Sequence, residues 1–195
     1  MTKNKSFSFV SGPLVDKCLV AMPGMRDQRF EKAVIYICSD DENEGTMGLV
    51  INKAAHHVAF SEILLQLKLP LGEQKNYPPV LMGGPVDGIR GFILHSADYG
   101  NEQTVPIARD VSLTATTDIL KDIADGKGPK KHLIALGHSS WVAGQLEAEI
   151  AGNSWLVMPA DDALLFDCPL RDRWKTALLS MGIDPVMLSL EQGSV

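Results

Sequence analysis

The residues from Lys131 to Asp167, KHLIALGHSSWVAGQLEAEIAGNSWLVMPADDALLFD, constrain the fold more than any other stretch, because a glycine stands at each change in the apolar pattern. Leu133-Ile134-Ala135-Leu136 is a short unbroken apolar run, the mark of a strand covered on both faces. Gly137 ends that run. Ser139 or Ser140 then offers a hydroxyl to cap a helix on which Val142, Leu146 and Ile150 form one apolar stripe. Gly152-Asn153 closes this helix, and Trp155 to Met158 makes a further buried strand. Pro159 with Asp161 and Asp162 opens a second helix, where carboxylates meet the positive end of the helix dipole.

The earlier part of the chain is richer in strands. Cys18 to Met22 is an apolar run stopped by Pro23-Gly24, and Ala33 to Cys38 is a second, rich in β-branched residues. The acidic turn Asp40 to Gly45 leads into Met47 to Ile51, so the second and third strands form an antiparallel hairpin. A helix is expected from Ser61 to Pro70, with Phe60 and Leu65 packed as a hydrophobic staple. Val80 to Met82 and Gly91 to His95 are further strands, and Thr104 to Ile107 and Val111 to Leu113 are edge or bridging strands, since Pro106 cannot donate to a ladder. Thr116 or Thr117 caps a helix through Ala124. The last helix runs from Pro169 to Met181, with Leu170, Trp174, Ala177, Leu178 and Met181 inward and Gly182 as stop. Asp184-Pro185 starts a terminal helical turn. Strands crowd the first half and helices the end, without regular alternation, which predicts an α+β fold with a mixed sheet.

No low-complexity tract or internal repeat divides the 195 residues, so one domain over 1–195 is expected, with residues 1–12 flexible. The balance of 18 basic against 24 acidic side chains, a formal charge of −6, repels a phosphate backbone, and the one tight basic group, Lys127, Lys130 and Lys131, lies in a loop. Direct nucleic-acid binding is therefore disfavoured. Cys18, Cys38 and Cys168 are too few and too irregular for a disulfide framework or a zinc site and read as reduced thiols. Ser8, Ser11 and Gly12-Pro13 interrupt any signal-peptide core, and no apolar run approaches the roughly 18 residues of a membrane span. A cytoplasmic protein is expected.

Five ordered stretches together carry a resemblance. LVAMPGMRD (19–27), VIYICSDDENEGTMGLVIN (34–52), GGPVDGIRGFILH (83–95), ALGHSSWVAGQLEAEIAGNSWLVMPAD (135–161) and the closing FDCPLRDRW with MGIDPVMLS resemble the AlgH/YqgE family of bacterial proteins, from about Gly12 to Gly193. The resemblance implies an α+β domain with a bifurcated mixed sheet, part of it curled into a small barrel and surrounded by helices. It implies no established reaction; the label of transcriptional regulator carried by some members reflects a genetic phenotype. Asp40, Ala54 and His138 stand where the family often has histidine, proline and an aromatic residue.

Candidate sites divide by chemistry. Gly137-His138-Ser139-Ser140-Trp141 has the strand-to-helix topology of a nucleophile elbow, but Trp141 is too bulky for the position that must be small, so helix capping accounts for the serines. Free N–H groups at that helix start, reached through Gly137, and a second turn at Gly83-Gly84-Pro85 would attract an anion. Neither matches a Walker or dinucleotide fingerprint, and no cofactor is expected. Arg26, Asp27, Asn52, Arg90 and His95 stand at the ends of expected strands, where polar groups converge on clefts. Cys38 and His95 are the weak catalytic candidates. Asp40, Asp41 and Glu42 argue against a reactive Cys38 thiolate. No metal is expected: adjacent His56 and His57 point to opposite faces, and Ile51 stands where a calcium loop beginning at Asp40 needs glutamate.

The reading that follows is a cytoplasmic, non-catalytic binding or regulatory protein that recognises another protein or a small anionic ligand, with a homodimer compatible. The alternative is a hydrolase-like enzyme for a phosphorylated or other anionic small molecule, with Cys38 or His95 as reacting group and Arg26 and Arg90 as clamps. Indirect control of transcription is third, since no helix-turn-helix with a basic recognition helix appears.

Overall fold

The computed structural model describes residues 12–72 and 76–185. The flexible start expected for residues 1–12 lies, apart from Gly12, outside these residues, as does any continuation of the terminal turn beyond Pro185.

Among the described residues, nine strands and four α-helices form an α+β fold around one mixed sheet. The strands are β1 (Lys17–Ala21), β2 (Val34–Asp41), β3 (Gly45–Val50), β4 (Val80–Met82), β5 (Val86–Ser96), β6 (Val105–Pro106), β7 (Val111–Thr114), β8 (His132–Trp141) and β9 (Trp155–Pro159). The helices are α1 (Phe60–Gln66), α2 (Asp118–Ala124), α3 (Gln145–Ala151) and α4 (Arg173–Ser180), with a 3-10 turn at Gln28–Phe30 and a π-helical turn at Ala163–Asp167. Strand order is β6-β7-β5-β8-β3-β2-β1-β9, with β4 parallel to β8. The antiparallel part curls into a half-barrel. Pro106 stands in the edge strand β6, where its missing N–H leaves no gap in a central ladder.

The sheet forks at β8. Residues 134–136 of this strand pair with β4 on one side and β5 on the other, while residues 139–141 pair with β3. Between them Gly137 takes φ +70°, and three backbones meet there. Gly83 donates to Leu136 O and accepts from Val50 N, each at 2.8 Å, tying β3 to β8. A Cβ on Gly84 would lie 2.2 Å from the His138 carbonyl carbon, so only hydrogen fits where these chains cross.

Both faces of the sheet are covered, as unbroken apolar strands require. In β1 and β2, Cys18, Val20, Val34, Tyr36 and Cys38 face a core closed by the π-turn and α4. Leu19, Ala21, Ile35 and Ile37 face another that includes Trp141, Leu146 and Trp155. The period of two divides each run between two cores. A third core, with Phe60, Leu64, Ile93, Ile119 and Ile134, lies under α1 and α2.

Three local expectations need correction. Gly137 does not end its strand: β8 runs ten residues to Trp141, because φ > 0 at a glycine kinks a ladder without breaking it. The helix that follows starts at Gln145 behind Gly144, so neither Ser139 nor Ser140 caps it, and Val142 is 71% exposed outside the apolar stripe. The first helix starts at Phe60, where Glu62 Oε2 accepts from Ala59 N at 2.9 Å, and Leu65 is 62% exposed, so no staple forms with Phe60.

Candidate functional site

Where β8 passes into α3, a cleft of about 840 Å³ opens against the loop after β1. Its walls are Met22, Gly24 to Asp27, Arg29 and Phe30, Pro85 and Val86 at the start of β5, Ser140 and Trp141 at the end of β8, Gln145 and Glu149 of α3, and Gly152 to Trp155. Its size falls in the range of small-molecule sites. Three of the five sequence stretches that carry the family resemblance, residues 19–27, 83–95 and 135–161, supply most of this lining.

The floor is an aromatic cluster. Trp141 and Trp155 meet edge to face at 6.1 Å, and Phe30 stacks on the first and meets the second edge-on at 5.5 Å. Burying two indoles requires acceptors for their N–H groups. Glu149 Oε2 supplies both, accepting from Trp141 Nε1 at 3.0 Å and Trp155 Nε1 at 2.8 Å, while its Oε1 accepts from Gln145 Nε2 at 2.9 Å. One carboxylate thus joins α3, β8 and β9.

The opposite wall carries charge in two states. Arg29 is held by Asp27 through a forked contact, Nη2 to Oδ2 at 2.7 Å and Nε to Oδ1 at 3.0 Å, and the Asp27 carboxyl is lowered below its usual range chiefly by this hydrogen bond. Arg26 beside them is exposed, and none of the described residues hydrogen-bonds or ion-pairs with it. It is a cation at the cleft with its donors unused by the described residues.

Of the residues singled out from the sequence, Arg26 and Asp27 meet in this cleft. The others stand elsewhere. Asn52 bridges strand ends, accepting from Val34 N and donating to Lys32 O, each at 2.8 Å. Arg90 lies over the Phe92 ring at 5.2 Å. Gly83, Gly84 and Gly137 are the fork itself, where backbone packing takes up the space an anion would need; the helix-start anion site expected through Gly137 is absent because Gly137 lies within β8. Trp141, Gln145, Glu149 and Trp155 also line the cleft and are not among the site residues the sequence singles out. Their signal was present: Gln145 and Glu149 are four apart on a helix flanked by two tryptophans, a spacing that puts both polar groups on one face.

The catalytic candidates are buried away from this lining. Cys38 sits in a β-bulge between Ile37 and Ser39, 2% exposed, its thiol pushed well above the usual range by burial. Burial, with the charges of Asp161 and Asp16, moves the Cys18 thiol up to about 12. Only Cys168 of the three cysteines is partly exposed, so a thiol-specific reagent is expected to modify it alone until the protein unfolds, a count readable by mass spectrometry.

His95 is wholly buried, its Nδ1 donating to Ser96 O and its Nε2 accepting from Thr114 Oγ1, both at 2.9 Å. Burial lowers its pKa and those of its cross-strand neighbour His132 and of His138. The unfolded chain therefore takes up protons near pH 6.5 that the folded chain refuses. Stability present above that pH is lost as pH falls, by up to about 1.4 kcal/mol per pH unit for each group. Denaturant melts at pH 7 and pH 5 should show this loss, and His95→Asn should shrink it.

The forked mixed sheet and the aromatic-floored cleft beside it define an α+β protein with a ligand-sized opening at the end of its shared strand. The AlgH-like family model, DUF179, matches residues 18–186, and the chain belongs to that family. It is 48% identical over 194 residues to a "UPF0301 protein" of Methylocella silvestris, covering 95% of this chain and 92% of that one. To a UPF0301 protein of Rhodospirillum rubrum it is 46% identical over 182 residues, covering 93% and 94%. The solution structure of AlgH from Pseudomonas aeruginosa superposes with a TM-score of 0.76 at 38% identity, covering 93% of this chain and 97% of that one. A crystal structure of a Corynebacterium diphtheriae protein, 20% identical and covering 88% of each chain, shares the fold with a TM-score of 0.68. None of these names states a reaction or a ligand, and no function is established by them. Among the described residues, no helix is long and apolar enough to cross a membrane.

Proposed function

We propose that the protein is a non-catalytic binding or regulatory module of the cytoplasm that takes a small anionic ligand in the cleft between the 22–30 loop and α3. The observation that carries this reading is the Arg26 guanidinium, exposed at a pre-formed aromatic-floored cleft with none of its donors used by the described residues. Arginine is the side chain suited to carboxylate or phosphate there, since its planar fork offers two parallel donors. The lining supports binding over turnover: Asp27 is held by Arg29, Glu149 is fixed by the indole donors and keeps one acceptor position, and the lining residues include no histidine, cysteine or lysine to activate Ser140. The free thiols of all three cysteines favour a reducing compartment.

Calorimetric titration with small carboxylates and phosphates, for example 3-phenylpropanoate and phenyl phosphate, tests this. Arg26→Ala is expected to weaken binding by about tenfold or more, the loss of one charge-assisted pair, and to leave the melting temperature within about 1 °C because the side chain is exposed. Equal binding by Arg26→Ala, or turnover of an ester or phosphoester by the pure protein, would refute the proposal.

A further inference from the structure

The charges around the cleft point to more than an anion. Asp27 and Arg29 neutralise each other across their forked contact, which leaves Arg26 on the loop wall and Glu149 on the α3 wall as the two charges available to a ligand. They are opposite in sign and stand on different walls. Glu149 is also held unusually firmly for a carboxylate at an open cleft. Three donors fix it, the two indoles on Oε2 and the Gln145 amide on Oε1, and Gln145 is itself positioned by accepting from Val142 N at 3.2 Å. An ionised carboxylate has about four acceptor positions, so one remains, on Oε1. A group oriented by buried tryptophans loses little freedom when it accepts a further bond, which is the condition for a selective contact.

We infer that the cleft recognises a zwitterionic small molecule, of the amino-acid type, whose carboxylate meets Arg26 and whose ammonium group meets Glu149. This rests on the proposed reading of the cleft as a binding site and adds the cationic half of the ligand. A plain carboxylate would satisfy Arg26 and leave the Glu149 acceptor to water. A plain amine would do the reverse.

Matched pairs that differ only in the ammonium group separate the two ideas: acetate and glycine, butanoate and 2-aminobutanoate, 3-phenylpropanoate and phenylalanine, titrated by calorimetry into the full chain. At least one zwitterion is expected to bind about tenfold tighter than its partner, the contribution of one charge-assisted hydrogen bond. Glu149→Gln keeps a carbonyl oxygen for the indole donors while removing the charge, and it should bring the pair within about twofold; near-UV circular dichroism reports whether the tryptophan packing survives. Glu149→Asp, with the charge kept on a shorter stem, serves if Glu149→Gln unfolds, and should lose most of the preference. Equal affinities within every pair, or a preference untouched by both variants, would overturn the zwitterion and leave anion binding standing. If no member of any pair binds, this inference falls, and the anion reading falls with it only if phenyl phosphate also fails to bind.

Discussion

Gly84→Ala is expected to destabilise the protein by about 3 kcal/mol or more and to lower its melting temperature by about 6–12 °C. The added methyl would lie 2.2 Å from the His138 carbonyl carbon, 2.3 Å from its oxygen and 2.4 Å from Ser139 N, all of them backbone atoms of β8 that no rotamer change can move. Relief would need β8 and the start of β5 to separate, and with them the bonds through which neighbouring Gly83 ties β3 to β8. Gly88→Ala is the control. Its Cβ would meet nothing within 4 Å, so a change within about 0.5 kcal/mol is expected. A Gly84→Ala protein of unchanged stability but altered ligand affinity would return this glycine to the binding role its sequence context suggested.

Trp155→Ala should cost about 3–5 kcal/mol, the usual range for truncating a large buried aromatic. Trp155 is 2% exposed, packs edge-on against Trp141 and Phe30, and donates to Glu149. At about 2–4 °C per kcal/mol for a chain of this size, the melting temperature should fall by about 6–20 °C. Trp155→Phe separates ring from donor: most of the apolar area stays, and the loss of one N–H to a carboxylate should cost about 1–2 kcal/mol. Because Trp141 also donates to the same Glu149 oxygen, removing both indoles should not cost the sum of the single losses. A double-mutant cycle with Trp141→Phe, followed by chemical denaturation, measures the coupling.

Much of the fold is legible in the residues themselves. Ala33 to Cys38 is apolar without interruption because β2 is buried on both faces, and the acidic turn after it closes the hairpin with β3. The fork is hidden for a physical reason. A glycine at φ > 0 serves equally to end a strand or to kink one, and only the distant backbone of Gly84, Val86 and Gly88, which occupies the space a side chain at Gly137 would fill, decides that Gly137 kinks β8. The error propagates locally: with β8 carried on to Trp141, α3 starts late and Val142 is left exposed.

The cleft is half legible. Arg26 and Asp27 attract notice as polar residues after a strand end, whereas Trp155 reads as part of a buried strand, Trp141 as a residue too bulky for a nucleophile elbow, and Glu149 is not singled out. Glu149 gains its role from the two buried indoles, whose N–H groups need an acceptor, and this dependence crosses from β8 to β9 through contacts that periodicity does not report.

Proton–nitrogen correlation spectra of the three indole N–H groups give the most direct test of the cleft as the binding site. Trp141 and Trp155 form its floor and share Glu149, while Trp174 donates to Ala21 O and is not among the lining residues. On titration with a small carboxylate, the Trp141 and Trp155 resonances should move together and saturate while the Trp174 resonance stays in place, and Arg26→Ala should flatten both curves. Saturable shifts at Trp174 alone, or at none of the three while calorimetry reports binding, would contradict the account.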